Sequence, residues 1–119
     1  MAALTIQTVA EAGLDPSYAA AASGGDTAKN EAGDTFLHVK NGDASAHTVT
    51  VTAQRTSQTV QGMGAMTKAN VQVSVPASGE RMIGPFAPLA FNDANNDIAI
   101  TYSSVTSVTV AALKLPRVA

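Results

Sequence analysis

The segment Thr48-Val49-Thr50-Val51-Thr52-Ala53 alternates strictly between hydroxyl and apolar side chains. Successive residues of an extended chain point to opposite faces. Val49, Val51 and Ala53 therefore share one face, and the three threonines share the other. Asn70 to Val75 repeats the pattern through Val71, Val73 and Val75, and Asp97 to Tyr102 does so through Ile98, Ile100 and Tyr102. A period of two carried by β-branched residues predicts strands buried on one face. Ser107 to Leu115, SVTVAALKL, is apolar at most positions and predicts a central strand or one covered on both faces. Ala3 to Val9, Thr35 to Lys40, Glu80 to Ile83 and Leu89 to Phe91 are weaker candidates. Together they make about eight short strands.

The connectors agree with that reading. Asn41-Gly42-Asp43 is a turn signal between two strands, because Asn and Gly tolerate positive φ. Pro76-Ala77-Ser78-Gly79 predicts a hairpin turn, and Gly84-Pro85 and Pro88 punctuate the next segment. The one helical option is Asp15 to Ser23, where four alanines favour helix but Gly24-Gly25 ends it. Residues 10–34 thus predict a long connection with at most one helical turn. The expected fold is all-β, an antiparallel sandwich of jelly-roll type. It forms one domain over 1–119, with an amino-terminal arm, strand and connection in 1–34 and the main sandwich in 35–115.

Composition limits what such a domain can do. Hydrophobic residues make up 45% of the chain, yet alanine dominates them, and Tyr18, Phe36, Phe86, Phe91 and Tyr102 are the only aromatics. Burial stabilises at roughly 25 cal/mol per Å², so small side chains give a thin core that gains from a partner or from a second copy. Charged residues are only 13% and the net charge is −2, with the basic residues scattered. A nucleic-acid binder is not expected, since it would carry a basic face. A surface so poor in charge suits covering more than free solution. With no cysteine, disulfides, thiolate metal sites and cysteine nucleophiles are excluded. MAALTIQTVAEAG has neither the positive region nor the apolar stretch of a signal peptide, and no apolar run nears the roughly 20 residues of a membrane span. The chain is expected to be made in the cytoplasm, away from membranes.

Few residues offer chemistry. Asp93-Ala94-Asn95-Asn96-Asp97 has the opening spacing of a calcium loop, but Ile98 and Ser104 stand where that loop needs glycine and glutamate. A polar turn is the better reading. His38 and His47 flank the expected hairpin at Asn41 to Asp43 and would approach one another there, but two imidazoles make a weak metal site. No Gly-x-Ser-x-Gly elbow occurs, Gly62-Met63-Gly64 is followed by no helix signal, and no carboxylate pair stands out. The inventory predicts no catalysis, no cofactor and no resident metal. Arg55 to Lys68, RTSQTVQGMGAMTK, is longer than a hairpin needs and carries two methionines, which suit adaptable contact surfaces.

The stretches GGDTAKNEAGDTFLHVKNG, TVTVTAQ, VSVPASGERMIGPF and FNDANNDIAITYSSVTSVTVAALKL resemble small head proteins of tailed bacteriophages, over about Ala12 to Leu115. The resemblance implies a capsid decoration, or cement, protein, a β-sandwich that binds the assembled major capsid protein outside the shell. It also implies self-association as a dimer or trimer at a symmetry axis, a place on the virion exterior, and no catalytic residues. The expected contacts are Leu4 and Ile6 of the arm, with Arg55, Met63, Met66 and Lys68 of the long loop. The alternative is an adhesion or carbohydrate-binding module of a tail or fibre, for which the chain is short of aromatic platforms.

Overall fold

The computed structural model describes residues 2–54 and 57–116, excepting the side chains of residues 57, 58, 60, 66 and 67. These hold twelve strands: β1 (Ala2–Leu4), β2 (Ile6–Thr8), β3 (Ala19–Ala20), β4 (Asp26–Lys29), β5 (Thr35–Asn41), β6 (His47–Val51), β7 (Ser57–Val60), β8 (Gly64–Thr67), β9 (Val71–Val75), β10 (Glu80–Ile83), β11 (Asp97–Tyr102) and β12 (Val108–Lys114). One helical turn, α1, spans Pro88–Phe91. The first sheet has the order β1-β4-β11-β6-β9. The second has the order β10-β5-β12-β2, with β3 also paired to β12. β7 and β8 form a separate two-stranded hairpin.

The alternating strands bury the faces expected of them. Val49, Val51, Val75, Ile98 and Ile100 are buried between the sheets, while Val71 and Val73 pack half-exposed at the edge on β9. β12 is covered on both faces. Val108, Val110 and Ala112 join the core, and Ala111 and Leu113, pointing the other way, are buried as well. Residues 9–18 are tied to that outer face at both ends. The Val9 N–H donates to the Lys114 carbonyl at 3.0 Å, and the Tyr18 hydroxyl meets His38 Nδ1 at 2.7 Å.

The structure corrects several expectations. The sheets are mixed, because β1 runs parallel to β4 and β2 runs parallel to β12. The amino-terminal segment thus straps one open side, giving three residues to each sheet. Residues 10–25 contain no helix; their regular part is β3. The Gly24-Gly25 turn leads straight into β4, where Gly25 is required. Its φ is +94°, and a Cβ there would lie 2.7 Å from the Ile100 carbonyl oxygen. Leu89 to Phe91 is helical instead of extended, because Pro88 suits a first helical turn and Phe91 anchors it in the core.

The two expected hairpin turns are crossovers. β5 and β6 lie in different sheets, as do β9 and β10. Asn41, 2% exposed, holds both crossovers together. Its Nδ2 donates to the carbonyls of Ser45, Val75 and Pro76 at 2.8, 3.2 and 3.3 Å. Its Oδ1 accepts from the Asp43 N–H, and its own N–H donates to the Gly79 carbonyl. A local turn signal says that the chain reverses, not which sheet receives it.

Candidate functional site

The long segment between β6 and β9 is the part of the molecule that the sandwich needs least. β6 and β9 are antiparallel neighbours with Val51 opposite Val71, so a tight turn would connect them. Instead the chain builds β7 and β8, which pair with each other from Ser57↔Thr67 to Val60↔Gly64 and with neither sheet. Gly62 and Gly64 adopt φ of +82° and +83° at the tip. Met63 stands between them, 72% exposed. The root is held at two points. The Ala53 N–H donates to Asn70 Oδ1 at 2.9 Å, and the Lys68 ammonium lies 5.4 Å from the centroid of the Phe91 ring.

The other expected contact residues are dispersed. Arg55 lies outside the described residues, as does the side chain of Met66, whose backbone is in β8. Leu4 and Ile6 sit in β1 and β2, half-buried against the core. They close the sandwich edge, and Ala2, Ala3, Thr5 and Thr8 form the exposed side of the strap. Further exposed apolar side chains are Leu89 at 67% and Met82 at 66%.

The two histidines are separated, because β5 and β6 belong to different sheets. Each is buried and hydrogen-bonded to a carboxylate of its own. His38 Nε2 lies 3.1 Å from Glu80 Oε1, and His47 Nε2 lies 2.9 Å from Asp43 Oδ2. A neutral His38 with its proton on Nε2 satisfies both contacts: Nε2–H donates to Glu80, and Nδ1 accepts from Tyr18. Lys40 sits 4.0 Å over the Tyr18 ring, completing a polar row on that face.

The DANND segment is a tight turn. Asp93 Oδ1 accepts from the N–H groups of Asn95 and Asp97 at 2.8 and 3.0 Å, and Asp97 pairs with Lys29 at 3.1 Å. No group of three His, Asp or Glu side chains converges to hold a metal among the described residues. In the same residues, no helix is long and apolar enough to cross a membrane.

Sequence reasoning missed a buried carboxylate. Asp26, at the start of β4, is fully buried. Its Oδ2 accepts from the Tyr102 hydroxyl at 2.7 Å and from the Ala22 N–H at 3.3 Å. Burial, followed by this hydrogen bond and the neighbouring carboxylate charge, pushes the Tyr102 phenol far above its usual range. Asp26 also lines a cleft of about 410 Å³ beneath the strap. The only sequence signal was an acidic residue directly after Gly24-Gly25, which reads as loop.

Comparison with known proteins finds no matching family, no matching curated protein and no matching solved structure.

Proposed function

We propose that this chain is a non-enzymatic head protein of a tailed bacteriophage, a decoration protein that binds the assembled major capsid protein and stabilises the shell. The observation that carries the reading is the β7–β8 hairpin, inserted where β6 and β9 need only a tight turn. An isolated two-stranded hairpin is at best marginally stable in water. Placing an exposed Met63 at its tip makes sense if a partner surface receives it. The low charge of the chain and its thin, alanine-rich core fit a protein whose folded state gains stability from lattice contacts. Its own copies, as a dimer or trimer at a symmetry axis, supply the remaining contacts, and many small contacts on one shell add through avidity.

The test is co-sedimentation of purified protein with expanded capsids that lack it, alongside unassembled capsid subunits and a glycan array. Saturable binding to capsids, with weak or no binding to subunits, is the expected result. Saturable glycan binding without capsid binding would make the chain an adhesion module instead. Binding to neither would end the decoration reading.

A further inference from the structure

The cleft beneath the amino-terminal strap has a defined construction. Its walls are mostly small and apolar, including Ala19, Ala20, Val110 and Ala112, with Leu4 from β1, and Thr5 and Tyr18 line it as well. Gln7 and Ser17 stiffen the rim. Gln7 Nε2 donates to the Ser17 carbonyl and the Ser17 N–H donates back to Gln7 Oε1, both at 2.8 Å. Asp26 is also among the lining residues. Both of its hydrogen-bond donors use Oδ2, and Oδ1 is buried with no partner. Among the described residues, no cation pairs with it. A carboxylate out of water with one oxygen unserved is costly unless a donor or counter-charge arrives.

The occupant that answers both needs carries positive charge and N–H donors on an apolar stem. A metal ion fits poorly, because hard cations take six or more oxygen ligands and the cleft brings one carboxylate. A water molecule would donate to Oδ1 but leave the charge unmatched. We infer that this cleft is a binding site for a primary alkylammonium group, the chemistry of a lysine side chain, with Asp26 as its counter-charge and the alanine walls around its stem. The volume is ample for a four-carbon stem, and β1, which forms one wall, is held to β4 by only three register pairs, Ala2–Leu4 against Asp26–Ala28. Because Oδ1 is buried, an ammonium reaches it only if that strand moves outward. The cleft and its occupant do not depend on the capsid reading.

The experiment is amide-resolved NMR of the purified protein during titration with butylammonium chloride, with sodium chloride at equal ionic strength and 1-butanol as controls. Saturable shifts at Ala2 to Leu4, Ala19, Ala20 and Val110 to Ala112, given by butylammonium alone, are expected. Asp26→Asn should weaken binding roughly tenfold or more, since a hydrogen bond to a charged group is lost. If Asp26→Asn does not fold, Ala20→Leu fills the cleft from an exposed wall position and should abolish the shifts with the carboxylate intact. Tyr102→Phe keeps Asp26 and should keep binding. A parallel titration with Nα-acetyl-lysine methylamide separates the sources. Comparable binding identifies a protein lysine, and binding of butylammonium only identifies a small free amine. No saturable shift, equal shifts with butanol, or binding unchanged by both Asp26→Asn and Ala20→Leu would overturn the inference.

Discussion

Asn30 and Asn92 hold each other reciprocally: Asn30 Nδ2 donates to Asn92 Oδ1 at 2.9 Å, and Asn92 Nδ2 donates to the Asn30 carbonyl at 2.6 Å. The fully buried Asn30 also donates to the Phe86 carbonyl at 3.0 Å and accepts from the Thr35 N–H at 3.4 Å. One amide thereby joins the end of β4, the start of β5, the loop before α1 and the residue capping α1. Asn30→Ala should cost about 2–4 kcal/mol, because buried backbone and side-chain groups lose their partners. Asn30→Asp should be no better, since it turns an acceptor toward Phe86 O and Asn92 Oδ1. Asn95→Ala, at an exposed turn position, should change stability by less than about 0.5 kcal/mol. Urea melts of the three variants check this, and equal effects would deny the Asn30 linkage.

The core follows from alternation, and one pair of substitutions tests it. Val51→Asp buries an unpaired carboxylate at a fully buried position and should cost about 4 kcal/mol or more. That is a large part of the ~5–15 kcal/mol typical of a domain. Thr50→Asp, one residue away on the opposite face, should cost less than about 1 kcal/mol. Circular dichroism melts distinguish the two, and a similar loss at both positions would deny the assigned register.

What could be read from the sequence divides along the same line. Val49, Val51, Val75, Ile98 and Ile100 carry their own evidence, because a β-branched residue at every second position has one economical burial. The double coverage of β12 was legible for the same reason, from apolar residues on both faces. β4 was not legible. Asp26-Thr27-Ala28-Lys29 has no strand former except Thr27, and its extension is imposed by pairing with β1 and β11. Pairing partners were equally hidden. Asn41-Gly42 and Pro76 to Gly79 bend the chain locally, while their destination depends on Asn41 bonding to both crossovers at once. The Asp26 cleft was invisible because it forms where the strap, residues 17–20 and β12 meet, and no local pattern records that meeting.

The Tyr102–Asp26 pair gives a pH dependence with a definite sign. The folded phenol holds its proton well above the usual value, and an unfolded tyrosine loses it near pH ~10. Stability from this group is therefore fully present below pH ~10 and is lost as pH rises beyond it, because the unfolded chain then binds fewer protons than the folded one. Tyr102→Phe should be less stable at pH 8, by about 1.5–3 kcal/mol for the lost hydrogen bond to a charged group. It should also lose stability less steeply than wild type above pH ~10. Guanidinium melts across pH 8–11 provide the comparison, and parallel slopes would contradict the assignment.

Residues 57–67 allow folding and the proposed capsid contact to be tested apart. Val51 opposite Val71 places the ends of β6 and β9 side by side, so a short Gly-Ser link can replace the whole β7–β8 hairpin. Such a variant retains Ala53 and Asn70, whose hydrogen bond closes the β6–β9 connection. Shortening a loop lowers closure entropy only slightly, and the strands of the hairpin pair with neither sheet. The variant should therefore melt within about 1 kcal/mol of wild type. Binding to bare expanded capsids should fall by at least about tenfold, which is about 1.4 kcal/mol per bound copy. Met63→Asp should reproduce much of that fall with no change in melting, because Met63 is exposed at the tip. If the hairpin deletion unfolds the protein, the segment is structural. If it folds and binds capsids as wild type does, the hairpin is not the contact, and the exposed side of the β1–β2 strap becomes the next surface to mutate.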